Sequence, residues 1–213
     1  MVNLTNEELY EVLKSLGITG REDSYEVSTI IRDHGLKKDF VTVHGGASKV
    51  CLDFTRENFV IKWTGETRGD YDEAMEEVEI YNKAVTAGLA VFFPATELFT
   101  TINGVHFVKQ EKVDFCVEDT PYHKEKKYAY QARTASDRIV RKMQLSFNRA
   151  CGHRCSRSLN TTWAKMALVI FGKKLVKSLC QFIIENGIND LHESNIGYKD
   201  NLPVILDFSG YKR

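Results

Sequence analysis

Asp190-Leu-His-Glu-Ser-Asn195, followed by Leu202-Pro-Val-Ile-Leu-Asp207-Phe-Ser-Gly210, is the stretch on which the fold turns. An Asp followed five residues later by Asn puts a carboxylate and an amide oxygen on one loop. A second carboxylate, Asp207, emerges from the apolar run Val204–Leu206. Mg²⁺ takes such oxygens and keeps several waters beside substrate phosphates. A carboxylate at the end of a buried strand is costly unless paired or metal-bound, so a purely structural Asp207 is the weaker reading. Around it, the run from Ile196 to Tyr211 predicts two short strands joined by a turn containing Asn201.

Upstream, Thr162 to Asn186 predicts one long helix, with Met166, Ile170, Leu175, Leu179 and Ile183 on its apolar face and Gly187 as its stop. Asp114 to Asn160 is polar, basic and poor in periodicity. Between Lys124 and Lys177 stand fourteen Lys or Arg and two acids, whereas acids dominate from Glu66 to Glu79. Solvated helix faces account for such asymmetry, and a docking surface for nucleic acid or an acidic partner is the minority reading. Over the whole chain, 29 basic residues balance 29 acidic ones, so net charge selects no partner. Cys151, His153 and Cys155 raise the question of zinc. A tetrahedral site wants four ligands, and Cys116 and His123 are distant in sequence, so loop thiols are the expectation.

Toward the N-terminus, Thr5 to Glu8 forms a capping-box pattern, Leu9, Leu13 and Leu16 follow at helical spacing, and Gly17 stops the run. A second helix is expected over 24–33. After Asp39 the period changes to that of strands: Val41 and Val43 alternate in Phe-Val-Thr-Val-His-Gly-Gly, then come 50–54 and 59–62. A helix over 72–87 follows, with Ala74, Val78, Tyr81 and Val85 predicted on its buried face. Strands near 95–99 and 105–108 flank the turn dipeptide Asn103-Gly104. Elements in this order predict an α+β chain, a small antiparallel-sheet lobe beside a helical lobe, with a crevice between them.

That order also supplies the parts that phosphoryl transfer needs: a phosphate cradle, a cation, magnesium ligands and a group that orients the nucleophile. His44-Gly-Gly-Ala-Ser-Lys-Val50 places glycines at a hairpin tip, where backbone N–H groups can approach phosphate. Lys62 ends the strand Phe59-Val-Ile-Lys and can present a compact charge. Glu77, one turn from Ala74 and Tyr81, is the helix carboxylate expected to turn inward to Lys62, with Glu73, Glu76 and Glu79 solvated.

Taken together, Gly-Gly-Ala-Ser-Lys-Val, Phe-Val-Ile-Lys, Glu-Val-Glu-Ile-Tyr, Asn-Asp-Leu-His-Glu-Ser-Asn and Asp-Phe-Ser-Gly resemble the ordered motifs of the protein-kinase-like superfamily, over about residues 39–210. The resemblance implies a two-lobed fold: an N-terminal helical extension at 1–38, an N-lobe at 39–113 and a truncated helical C-lobe at 114–213. It implies that Asp190 takes the proton of the acceptor hydroxyl and that Asn195 and Asp207 hold Mg²⁺. It further implies that Lys62, held by Glu77, meets the phosphates of ATP. Gly45, Gly46, Ser48 and Val50 would line the nucleotide, and the backbone of Glu111 and Val113 would meet the base. The sequence departs from the family in several places. Val43 and Ser48 stand where the first and third glycines belong, Ile188-Asn189 replaces His-Arg, and Ser209 interrupts Asp-Phe-Gly. Three residues follow Gly210 in this sequence, so no activation segment is expected, a reduction that resembles phage kinases directed at host proteins.

The expectation is therefore a minimal protein kinase acting on a Ser, Thr or Tyr hydroxyl. A nucleotide-binding interaction module without turnover and a small-molecule kinase are the alternatives. With no bilayer-length apolar run and no basic-then-apolar leader, the chain is expected to be cytoplasmic.

Overall fold

A computed structural model describes residues 4–36, 40–45, 49–65, 71–115, 142, 145, 161–189, 191 and 193–209. They fall into two compact units: Met1–Glu79 with Ala95–Lys112, and Ile80–Pro94 with Val113–Arg213. Among the described residues, no helix is long and apolar enough to cross a membrane. The chain is α+β, with a five-stranded and a three-stranded antiparallel sheet.

In the first unit, α1 (Asn6–Ser15) starts at Thr5, whose hydroxyl accepts from the Glu8 N–H while the Glu8 carboxylate accepts from the Thr5 N–H. It ends in a Schellman turn: Ile18 N–H donates to Leu13 O at 3.1 Å and Gly17 N–H to Lys14 O at 3.0 Å. Helix α2 (Ser24–Asp33) repeats the plan, with Asp23 and Glu26 as its capping box and Gly35 in its closing turn. Five strands follow: β1 (Val41–Gly45), β2 (Lys49–Phe54), β3 (Phe59–Thr64), β4 (Thr96–Ile102) and β5 (Val105–Glu111). Their order across the sheet is β1-β2-β3-β5-β4. Asn103 and Gly104, with φ of 51° and 82°, make the two-residue β4–β5 turn.

Strand alternation divides the residues of this sheet between two faces. Val41, Val50, Leu52, Phe54, Phe59, Ile61, Trp63 and Phe107 share one core with Leu9, Leu13, Val27 and Ile31 of α1 and α2. The N-terminal helices are thus part of the body of this unit. The opposite face carries Lys49, Cys51, Lys62 and Gln110, and α3 (Glu73–Thr86) packs there through Ala74, Met75 and Val78 against Val108.

The buried stripe of α3 differs from its sequence expectation. Ile80 and Ala84 are buried, Tyr81 is half-buried and Val85 is 50% exposed, so the stripe passes one residue short of Val85. Glu73, expected in solvent, is also buried; Glu79 is exposed and Glu76 intermediate. Gly88, at φ 69°, ends the helix.

The second unit has a short 3₁₀ turn (Ala90–Phe92), β6 (Asp114–Phe115), α4 (Thr161–Glu185), a 3₁₀ turn (Glu193–Asn195), β7 (Ile196–Lys199) and β8 (Leu202–Ile205). The expected single long helix is interrupted. Gly172 has φ 76° and ψ 163°, outside helical space, so α4 is two helical stretches in sequence. Glycine is the residue that reaches this conformation without Cβ strain. Trp163, Leu179, Ile183, Ile188, Ile196, Tyr198, Ile205 and Phe208 belong to one core. Trp163 Nε1–H faces two strand carbonyls, Gly197 O at 3.1 Å and Val204 O at 3.2 Å, tying α4 to the β7–β8 hairpin. Asp200 and Asn201, both at positive φ, form the turn of that hairpin.

Candidate functional site

Within the first unit, Lys49 lies opposite Thr64 and Cys51 opposite Lys62 in the β2–β3 ladder, so both lysines rise from the same face. Helix α3 delivers Glu77 to that face, fully buried. Lys49 Nζ donates to Glu77 Oε1 at 2.7 Å, and Lys62 Nζ donates to Oε2 at 3.3 Å. Gln110 Nε2 also donates to Oε2 at 3.3 Å and to Thr96 Oγ1 at 3.1 Å. Both oxygens of one buried carboxylate are therefore engaged, by donors from β2, β3 and β5. A buried carboxylate left without any partner costs about 3–5 kcal/mol, and here three donors share the task of preventing that.

The position of Glu77 follows from how α3 begins. Asp72 Oδ1 accepts from Met75 N–H at 2.9 Å, the bond an N-cap makes to the third helical residue. Thr64, the last residue of β3, adds a second tether. Its hydroxyl accepts from Ala74 N–H at 2.9 Å and donates to Asp72 Oδ1 at 3.1 Å. His106 Nδ1 lies 2.7 Å from Asp72 Oδ2 and links β5 to the same cap. The first turn of α3 is thereby fastened two residues past Lys62, and Glu77 comes down one turn later.

Cys51 sits beside Lys62 in this polar face. Burial pushes its thiol up to about 11; Lys62 and Lys49 act against the rise, while Asp53 and Glu77 add to it. Such a thiol is protonated at neutral pH and a poor nucleophile. Farther along β2, Asp53 pairs with Lys112 and lies 3.6 Å from His44 Nε2.

In the second unit, the 3₁₀ turn ends at Asn195, which is buried, and Leu206 N–H donates to Asn195 O at 2.8 Å. This bond sets the loop carrying Asn195 against the residue that precedes Asp207. Asp207 is half-buried, and Ser209 Oγ donates to its Oδ1 at 3.4 Å. The two residues thus stand on adjoining backbone, and an amide oxygen and a carboxylate are donor types that Mg²⁺ takes. Asp190 lies outside the described residues, as do Gly46, Ser48 and the Cys151-His153-Cys155 cluster. Among the described residues, no group of three or more His, Cys, Asp or Glu could hold a metal ion.

The remaining residues expected at the nucleotide fall in different surroundings. Gly45 ends β1, where a Cβ would overlap Ser24 of α2, so close packing accounts for this glycine. Val50 is 4% exposed and faces the core shared with α1 and α2, opposite Trp63 in the ladder. That places Val50 on the face away from Lys62, and Cys51 takes the position beside the lysine. Glu111 closes β5, its N–H donating to Ala95 O at 2.8 Å. Val113 belongs to the second unit.

Two members of the Glu77 cluster, Lys49 and Gln110, escaped the sequence reading. Lys49 looked like part of a turn, and only strand alternation after the glycines, with Val50, Leu52 and Phe54 inward to one core, assigns it to the face of Lys62. Comparison of the chain with protein-family models, curated proteins and solved structures gave no match.

Proposed function

We propose that this chain is an ATP-dependent phosphotransferase of the protein-kinase-like fold, with the two units as its small and large lobes, acting on a protein hydroxyl. The observation that carries the reading is the pairing of Lys62 with a fully buried Glu77 from α3, at 3.3 Å, on a five-stranded antiparallel sheet. A lysine anchored in this way offers its ammonium to polyphosphate at low reorganisation cost. The adjoining backbone of Asn195 and Asp207 gives a second, independent support, as a pair of oxygen donors suited to Mg²⁺. Asn195 and Asp207 would hold that ion, which would supply positive charge against the charge that develops on the phosphoryl oxygens.

In this reading the acceptor oxygen bonds to the γ-phosphorus as the bond from that phosphorus to the β–γ bridging oxygen breaks. The hydroxyl proton passes to Asp190, and ADP leaves. Lys62 orients the α- and β-phosphates, and Glu77 orients Lys62.

The test is incubation of the full chain with γ-labelled ATP, Mg²⁺ and a mixture of protein acceptors, beside Asp190→Ala and Asp207→Ala. Transfer by the wild type and its loss in both variants is the expected result. Equal labelling by all three proteins sinks the assignment.

A further inference from the structure

Two lysines address Glu77, and they do so unequally. Lys49 makes the shorter contact, 2.7 Å against 3.3 Å for Lys62, and is 8% exposed. Lys62 shares its carboxylate oxygen with Gln110, whereas among the described residues Lys49 alone meets Oε1. We infer that Lys49 is a positioning residue for polyphosphate binding. It neutralises and orients the buried Glu77 carboxylate, so that the charge of Lys62 is directed to a nucleoside triphosphate rather than consumed by Glu77.

The physical argument is one of charge and reach. A buried carboxylate facing a single ammonium forms a closed pair whose mutual attraction competes with any third, anionic partner. A second ammonium on the other oxygen changes that balance. The carboxylate then serves as a rigid acceptor for two cations, and phosphate draws on Lys62, whose contact to Glu77 is the longer. The ladder supports this division of labour. Lys49 and Lys62 are diagonal neighbours across β2 and β3, their main chains fixed by the register Lys49↔Thr64 and Cys51↔Lys62. The same Thr64 tethers the first turn of α3, so sheet and helix hold all three charged groups together.

The inference rests on the nucleotide reading given above, and the experiment separates the two. Calorimetric titration with MgATP is run on the full-length wild type, Lys49→Met, Lys49→Arg, Glu77→Gln and the double variant Lys49→Met/Glu77→Gln. Wild-type binding is the baseline, and its absence overturns the nucleotide reading together with this inference. Given that baseline, Lys49→Met weakens affinity about tenfold or more, at about 1.4 kcal/mol per tenfold, as the Glu77 carboxylate closes on Lys62. Lys49→Arg, which keeps the charge, recovers most of the loss.

The decisive variant is the double one. With the carboxylate gone there is nothing left for Lys49 to neutralise, so the double variant binds MgATP more tightly than Lys49→Met alone. A lysine that merely stabilises the fold would not give this suppression in affinity. Losses that simply add show that Lys49 touches phosphate itself and overturn the positioning role, as does unchanged affinity in Lys49→Met. Should Lys49→Met fail to fold, the double variant still decides by comparison with Glu77→Gln, since it removes both buried charges. Affinities within about threefold of each other support the inference, because Lys49 then has no carboxylate to act through. A clear further loss in the double variant overturns it.

Discussion

Replacing Thr64 by Val keeps the shape of the side chain and removes one hydroxyl, so it isolates the tether that seats α3 on its sheet. That hydroxyl makes two bonds, accepting from Ala74 N–H at 2.9 Å and donating to Asp72 Oδ1 at 3.1 Å. Ala74 is 0% exposed, so water has poor access to replace the lost acceptor. Asp72 keeps Met75 N–H and His106, so its side of the loss is small. One buried donor left without a partner costs about 1–3 kcal/mol. Thr64 itself is only half-buried, which places the expected loss at about 1–2 kcal/mol. For a chain of this size that is a fall in Tm of roughly 2–8 °C, at about 2–4 °C per kcal/mol. Thermal denaturation followed by circular dichroism, with Thr64→Ser as the hydroxyl-retaining control, measures it. The expected result is a lower midpoint for Thr64→Val and a near wild-type midpoint for Thr64→Ser. Equal stability of all three proteins would refute the tether, and with it the explanation of how Glu77 is brought to the lysines.

Three further outcomes follow from other parts of the chain. Burial acts to raise the Glu22 carboxyl, but bonds from the Thr19 side chain and from backbone N–H groups, those of Thr19 and Gly20 among them, outweigh it and hold it below its ordinary 4.5. A depressed carboxyl stabilises the fold above the unfolded value and loses that contribution as pH falls through the folded one. The acid limb of the wild-type stability curve should therefore be steeper below about pH 4.5 than that of Glu22→Gln, as read by thermal denaturation across pH. Cys51, with its thiol raised to about 11, should react slowly with iodoacetamide in native protein at pH 8 and rapidly in urea, as scored by peptide mass mapping. At Gly197 a Cβ would overlap Asp114 O, a backbone atom of the neighbouring strand. Gly197→Ala should cost about 1–3 kcal/mol by urea denaturation, the range for forced overpacking, and an unchanged midpoint would contradict the close β6–β7 approach.

What could be read ahead of the structure was the local chemistry. The capping box at Thr5, the glycine stops at Gly17 and Gly187, and the turn at Asn103-Gly104 all occur where the residues put them. Each depends on atoms a few residues apart, so sequence proximity carries the information. Gly172 is the instructive exception. A glycine within an apolar helical pattern is tolerated at a cost of about 1 kcal/mol relative to Ala, and the pattern alone gives no sign of a break. Its φ of 76° takes the chain out of helical space, and the apolar spacing on either side does not encode that. The buried face of α3 shows the same limit: spacing predicts Val85 inward, and the helix instead buries Ala84 beside Ile80.

The candidate site divides along the same line. Glu77 could be chosen among four neighbouring glutamates because a helix repeats every turn and Ala74 marks the inward side. Lys49 could not, because its role depends on which way β2 turns after the glycines. A shift of one residue in strand register exchanges the two faces of a strand completely. With Val50 inward to the core of α1 and α2, Lys49 and Cys51 are forced to the face of α3, and Glu77 acquires a second cation. The same alternation that removes Val50 from the neighbourhood of Lys62 is what puts Lys49 into it. An argument from motif order alone treats those two residues as one glycine-rich loop; the ladder Lys49↔Thr64, Val50↔Trp63, Cys51↔Lys62 assigns them to opposite sides of the sheet.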